Sequence, residues 1–509
     1  MADARDDDVV DPGARALMQV SREDPDRRAA RRLRPSSRGG HHLAASAADD
    51  CAAPGREQPA HLLSSRLVLG ATTDHRDLGR AHACEDSPVT LQREARGGVL
   101  VVGGGFAGSY VARLVGQRGA TIVSPDNYML FTPILPEAAS GTLEPRHSVV
   151  PLRVMCPHAE LLLGRLVALD EDASVVRVET GAEPFELHYE HLVLALGSVA
   201  RVLPIPGLAE HGLGFKDLSD AIRLRNHVLR QLEAAEAELD RGHAARHLTF
   251  VFVGGGYAGV EALAELADLV RDALRHYRAL RAIPQRWVLV DAATEILAEI
   301  PSRLGRYATE QLRGRGIEIR VGTTLESVDA DGVVLSDGER IETRTLVWTA
   351  GVRPQPLLRE LRLPLGERGH VRVDEHLRVE GRTRVWALGD CARVPNGATP
   401  GTPDPPTSQH ALRQARRLAK NLRGPLEPYS YRMLGQVATL GRHQGIADVL
   451  GVPLRGFPGW FVTRTYHLYQ LPLLSRKLRV VADWTVGLCF RRDIAELGTL
   501  GRMRRLGDE

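Results

Sequence analysis

Two glycine-rich turns about 150 residues apart constrain this chain more than any other feature: Gly103-Gly104-Gly105-Phe106-Ala107-Gly108 and Gly254-Gly255-Gly256-Tyr257-Ala258-Gly259. Each follows an apolar, β-branched run, at 98–102 and 248–253, and each opens a stretch rich in Ala, Leu and Val. A strand that ends in such a turn and feeds a helix offers backbone N–H groups and the positive end of the helix dipole to a pyrophosphate. The first glycine (Gly103, Gly254) permits the tight turn. The second (Gly105, Gly256) lets the backbone approach the phosphates, and the third (Gly108, Gly259) lets helix and strand pack closely. One such turn predicts a dinucleotide; two in tandem predict a flavoenzyme.

The strand downstream of each turn helps to assign its nucleotide. The strand expected at 286–290 ends on Asp291, whose carboxylate would accept both hydroxyls of a ribose and repel a 2′-phosphate, so NADH is favoured over NADPH. The spacing from Gly254 is longer than the usual twenty or so residues, which requires the charged stretch 271–285 to extend the helix and loop. A solvated turn residue is the alternative for Asp291. After the first turn the strand 120–123 ends on Ser124, which still offers a hydroxyl to a ribose. Two further strands end in small residues or an acid. The run 189–198 closes on Leu196-Gly197-Ser198, where backbone passes close to a ligand, and 385–390 closes on Gly389-Asp390. Asp390 past the carboxyl end of a parallel strand could hydrogen-bond a flavin ribityl or ribose hydroxyl, or cap a helix beginning at Cys391.

At 509 residues, two or three domains are expected. Lysine occurs only at Lys216, Lys420 and Lys477, so nearly all of the 66 basic residues are arginine; 63 acids offset them, and the net charge of +3 gives no support to nucleic-acid binding. The arginine excess fits codon composition. The five cysteines, Cys51, Cys84, Cys156, Cys391 and Cys489, form no CxxC pair and no clustered ligand set, so neither a local dithiol, an iron–sulfur cluster nor another metal site is expected. Electrons must then travel through an organic cofactor. There is no apolar stretch of 18 residues and no secretory signal, and an intracellular protein is expected.

The predicted organisation is α/β: two Rossmann-like dinucleotide-binding domains, the NADH domain inserted within the FAD domain, and a C-terminal membrane-interface segment. Residues 1–95 contain no Phe, Tyr or Trp and read as a disordered extension. Residues 96–245 form the first part of the FAD domain with a charged linker helix, 246–344 the NADH domain, 345–425 the second part of the FAD domain and 426–509 the C-terminal region. The strand 345–351 is expected to return the chain to the first domain.

The motifs together resemble one family. From Gly97 to about Gly501 the chain resembles the type II NADH dehydrogenases, single-subunit, non-pumping NADH:quinone oxidoreductases of the two-dinucleotide-binding flavoprotein superfamily. The most specific stretch is Asp126-Asn127-Tyr128-Met129-Leu130-Phe131-Thr132-Pro133-Ile134-Leu135-Pro136-Glu137, followed by 141–146. The resemblance implies that this segment, Pro133 included, lies along the flavin. Trp348-Thr349-Ala350-Gly351 and Leu388-Gly389-Asp390 are shared across the superfamily, and Gly351 is counted among the cofactor contacts. Glu261 matches the family's glutamate that reaches toward nicotinamide and flavin; an early-helix glutamate stabilised by the dipole is the alternative. The family's quinone signature Ala-Gln-x-Ala-x-Gln is met by Ser408-Gln409-His410-Ala411-Leu412-Arg413: Gln409 and Ala411 match, whereas Ser408 and Arg413 depart from it and bear on the electron acceptor.

Residues 451–509 hold ten Arg and Lys against five acids, with 7 of the chain's 24 aromatic residues. Rings that reach the acyl boundary beside Arg464, Arg476, Lys477 and Arg479 at the headgroups suit an interfacial membrane segment, and the family's anchoring tail is similar. A homodimer interface would explain the same aromatics and stays open. The reading is a peripheral enzyme on the cytoplasmic side of the cell membrane, with non-covalent FAD, that passes a hydride from NADH to flavin N5 and two electrons to a membrane quinone. Its rivals are a soluble NAD(P)H-dependent flavin reductase serving a protein or oxygen, and a nucleotide-sensing protein without turnover.

Overall fold

Two five-stranded parallel sheets, each built around one glycine turn, organise residues 91–496, which are those described by this computed structural model. The first sheet has the order Val385–Ala387, His191–Leu194, Val99–Val102, Thr121–Ser124 and Glu160–Leu163, with every pairing parallel. Strands covered on both faces need continuous apolar sequence, and Leu100, Val101, Ile122, Val123, Val193 and Leu194 are buried accordingly. An antiparallel meander of Arg165–Asp170, Val175–Glu179 and Phe185–His188 is inserted between Glu160–Leu163 and His191–Leu194.

Leu91–Glu94 adds to that meander, parallel to Phe185–His188. The boundary at residue 95 therefore moves back by a few residues, because the polar run Leu91–Glu94 gains a backbone partner that composition does not reveal. Residues 1–90, the rest of the expected disordered extension, lie outside the described residues, as do 497–509.

The second sheet runs Gly212–Gly214, Thr345–Trp348, Thr249–Val253, Arg286–Asp291 and Ile317–Val321, again all parallel. Phe250 stacks on Trp287 at 4.3 Å between ring centroids. Two expectations need correction. Thr345–Trp348 does not return the chain to the first domain; it is a fully buried inner strand of the second sheet. The crossing comes later, where Val352–Pro354 pairs antiparallel with Ser198–Ala200. The linker helix, Leu218–Ala237, likewise belongs to the second core, into which it buries Leu224, Val228, Leu229 and Leu232. Its charged residues disguised an apolar stripe at helical spacing. Asp217 and Asp220 start this helix with a capping box. The second body therefore spans about 212–348, and it remains inserted between His191–Leu194 and Val385–Ala387 of the first sheet.

Beyond the helix Ser408–Asn421, a three-stranded antiparallel sheet of Gly435–Thr439, Gly445–Val449 and Val452–Arg455 leads into two helices, Gly456–Gln470 and Leu474–Cys489. No helix among the described residues is long and apolar enough to cross a membrane.

Candidate functional site

The two glycine turns share one geometry. Gly103 and Gly254 both have φ of +118°, a conformation that L side chains rarely adopt. A Cβ on Gly108 would run into the Gly103 carbonyl oxygen, and one on Gly259 into that of Gly254. By contrast, Gly105 and Gly256 would meet nothing within 4 Å. They precede the helices Phe106–Val115 and Tyr257–Ala273 without any side-chain cap. The first N–H groups of both helices are left open to an anion, and this pair of cradles fits the diphosphates of two dinucleotides.

Ser124 and Asp291 stand at the ends of the strands next to the turns. Ser124 is buried, and its Oγ accepts the Asp126 N–H at 3.3 Å. Asp291 Oδ1 accepts the Ala293 N–H at 2.7 Å, and Oδ2 accepts the Gly255 N–H, which brings the carboxylate to the second turn. The long spacing is taken up by the helix to Ala273 and the turn Ala279–Ala282. Asp390 caps no helix. It lies in a single 3-10 turn, Gly389–Cys391, and its Oδ2 accepts the Ser198 hydroxyl at 2.8 Å, one residue past Gly197 with φ +66°. Gln414, not singled out from sequence, accepts the Gly389 N–H at 2.8 Å and so fixes this turn.

A cavity of about 400 Å³ collects residues from several parts of the fold: Phe106 and Pro133 from the first domain, Glu261 from the second, Gly351 from the segment that crosses back, Gln409 and Tyr466 from later helices. Glu261 is buried, its Oε1 accepting the Thr439 N–H at 2.8 Å and the Thr439 hydroxyl at 3.1 Å. Burial pushes its carboxyl up to about 8 despite those two bonds, so it is predominantly neutral at pH 7 and able to donate. Gln409 Nε2 donates to the Gly435 carbonyl at 3.3 Å, and its Oε1 accepts the Tyr431 hydroxyl at 3.3 Å. Ser408 borders the cavity, whereas the Arg413 guanidinium lies 5.3 Å from the centre of the Tyr431 ring. Burial pulls the His467 imidazole on the cavity wall down to about 4, leaving it neutral. Lys216 also borders the cavity.

Behind Glu261 lies a buried charge network that sequence reading missed. Glu261, Glu265, Asp268 and Asp272 are spaced for one face of a mostly apolar helix, and all four are buried. Arg492 from the C-terminal segment reaches Glu265 at 2.8 Å, Asp272 at 3.3 Å and Asp268 at 3.8 Å. Arg315 reaches Asp268 at 2.6 Å. Arg464, expected among lipid headgroups, is instead mostly withdrawn from solvent: it pairs with Glu137 at 3.2 Å and lies between the Trp460 and Trp484 rings, 4.5 and 4.6 Å from their centres. Trp484 donates to Glu137 at 2.5 Å. Trp460 is buried, so the aromatic set divides into an inner group and an outer one. The outer group has Phe457, Phe461 and Tyr469 exposed, and Leu474 and Leu478 of the next helix are exposed as well.

Residues 97–415 match the family model of the pyridine nucleotide-disulphide oxidoreductases. The chain is 31% identical over 389 residues to a probable NADH dehydrogenase of Dictyostelium discoideum, covering 74% of this chain and 85% of that one. It is 31% identical over 410 residues to the demethylphylloquinone reductase NdbB of Synechocystis, covering 77% and 96%. It is 29% identical over 419 residues to the type II NADH:quinone oxidoreductase Ndh of Mycobacterium tuberculosis, covering 78% and 89%. The structure of NDH2 from Plasmodium falciparum in complex with NADH matches with a TM-score of 0.72 at 19% identity, over 78% of this chain and 99% of that one, and shares its fold.

Proposed function

This chain belongs to the type II NADH:quinone oxidoreductases within the pyridine nucleotide-disulphide oxidoreductase family, and from that premise we propose which of its residues carry the reaction. The enzyme oxidises NADH and reduces a quinone. FAD, when bound, would supply the redox chemistry that couples NADH oxidation to quinone reduction. The first turn, with Gly103, Gly105 and Gly108, holds the FAD diphosphate. Ser124 serves its adenosine ribose, while Asp390, beside Gly197, serves the ribityl chain. The second turn, with Gly254, Gly256 and Gly259, holds NADH, and Asp291 disfavours a 2′-phosphate there.

The convergence of Glu261, Pro133, Gly351 and Gln409 on one cavity carries this reading. Pro133 and Gly351 shape the space for the isoalloxazine and nicotinamide. Glu261, protonated at neutral pH, donates a hydrogen bond to the nicotinamide carboxamide or a proton toward the quinone. Gln409, oriented by Tyr431 and Gly435, offers its amide to a quinone carbonyl. The exposed rings and leucines of the two C-terminal helices rest on a lipid surface, with Arg479 and its basic neighbours toward the headgroups. A soluble flavin reductase would leave that apolar surface without an occupant.

Purified protein should carry yellow flavin that bleaches with NADH, and it should reduce ubiquinone or menaquinone. Asp291 is tested in the same assay: the wild type should favour NADH over NADPH roughly ten- to hundredfold, and Asp291→Ala should narrow that ratio. Flavin that bleaches while neither quinone is reduced would overturn the acceptor, and equal kcat/KM values for the two nucleotides would overturn Asp291.

A further inference from the structure

Lysine is rare in this chain, and one of the three lies on the cavity wall. Lys420 is exposed on the helix Ser408–Asn421, and Lys477 lies 5.4 Å from the centre of the Tyr469 ring on the C-terminal helices. Lys216 instead borders the redox cavity, whose other charged or titratable wall residues include the acids Glu261 and Glu299 and the neutral His467. Among the described residues, no arginine lines it. The ammonium is also held in place: Nζ donates to Ser198 Oγ at 3.0 Å, Ser198 Oγ donates to Asp390 Oδ2 at 2.8 Å, and Nζ lies 4.0 Å from that same carboxylate oxygen. Its backbone N–H donates to Asp220 of the capping box at 2.9 Å, which fixes the stem.

The hydride that leaves NADH carries two electrons and one proton, so the nicotinamide gains a positive charge and the FAD site a negative one. No proton leaves Nζ in this step. We infer that Lys216 offsets that negative charge and thereby makes the site bind reduced FAD more tightly than oxidised FAD, with Ser198 and Asp390 fixing where the ammonium stands. The inference rests on the cavity being the hydride-transfer site. It adds an electrostatic control of the cofactor's potential by a charge at its edge.

The test is the midpoint potential of bound FAD, titrated with dithionite in full-length wild type, Lys216→Met and Lys216→Arg. Lys216→Met should weaken the preference for reduced FAD about tenfold, which for a two-electron couple lowers the potential by about 30 mV. Lys216→Arg, which keeps the charge, should restore most of it. If Lys216→Met retains FAD poorly, the ratio of the apoprotein's dissociation constants for oxidised and dithionite-reduced FAD reads the same tenfold change. A cation that only anchors Asp390 would weaken both redox forms equally and leave the potential unchanged, and that result overturns the inference. Because dithionite replaces NADH in the titration, a failure here is distinct from a wild type that proves unable to reduce quinone.

Discussion

Glu261 shows how burial turns an ordinary acid into a group that titrates near physiological pH. Burial is the largest influence on its carboxyl, and the neighbouring Glu137 and Glu265 reinforce the upward shift against the two bonds from Thr439. A folded value of about 8 stands above the unfolded carboxylate range, so the protonated form favours folding below about pH 4.5 in full. That contribution is lost as pH rises through about 8, at up to roughly 1.4 kcal/mol per pH unit for one proton. Glu261→Gln should therefore be more stable than wild type at pH 9, while differing little at pH 5. Thermal melts at the two pH values check this, and parallel melting of both proteins across the range would reject a neutral Glu261. Quinone reduction by wild type should also decline above about pH 8, with the variant slow throughout.

At this scale the sequence was most legible where geometry restricts residue type. Gly103 and Gly254 occupy a φ that favours glycine, and Gly108 and Gly259 leave no room for a Cβ, so their spacing alone located both turns. Lys216 and Gln414 were not legible, because a single lysine and a helix glutamine acquire meaning only from what the fold sets beside them: Ser198 in one case and the Gly389 N–H in the other.

Among the elements, the helix Tyr257–Ala273 joins nucleotide binding to the C-terminal region. Its N-terminus carries the second turn, its first turns carry Glu261, and the acids further along are matched by arginines distant in sequence. The acid spacing was visible beforehand on an apolar helix, and buried partners could have been anticipated from it; their identity could not, since Arg492 lies more than two hundred residues away. Burial alone would raise the Glu265 carboxyl, but Arg492 and Arg464 hold it below its ordinary value. Glu265 thus stabilises the fold above the unfolded carboxylate range and loses that contribution as pH falls through its lowered folded value. Removing one member of a buried ion pair leaves an uncompensated charge, typically at a cost of about 3–5 kcal/mol. Arg492→Met should lower stability by about that amount at pH 7, with a smaller deficit near pH 4 where the stranded carboxylates can protonate. Chemical denaturation at both pH values measures the difference, and a deficit under about 1 kcal/mol at pH 7 would contradict a buried pair.

For the whole molecule, the C-terminal region has an inner, charge-pairing face and an outer, exposed apolar one. The inner face, with Arg464, Trp484 and Arg492, closes the charge network beneath Glu261. Cutting the chain near Gly451 would strand buried acids as well as remove the proposed lipid-facing surface, so truncation cannot separate the two. Substitution on the outer face can. Phe457 and Phe461 are both 57% exposed, Leu474 70% and Leu478 61%, none of the four lines the cavity, and Phe457 meets the inner face only through the Trp460 ring at 5.4 Å between centroids. Burying each such side chain in lipid contributes roughly 1.5–3 kcal/mol, against about 1 kcal/mol for each basic residue at an anionic surface. Replacing all four by serine should release the protein to the soluble fraction and lower reduction of membrane quinone at least tenfold. Ferricyanide, which takes electrons from the site without a lipid pocket, should change less than about twofold, because the cavity wall is untouched. Salt should detach the wild type only partly, since screening weakens the arginine and lysine contacts but leaves the apolar ones. A folded, flavin-loaded quadruple variant that stays on vesicles with unchanged quinone activity would refute the lipid-facing surface. If that variant instead dissociated from dimer to monomer in sedimentation, the exposed rings would belong to an interface between two copies of the chain.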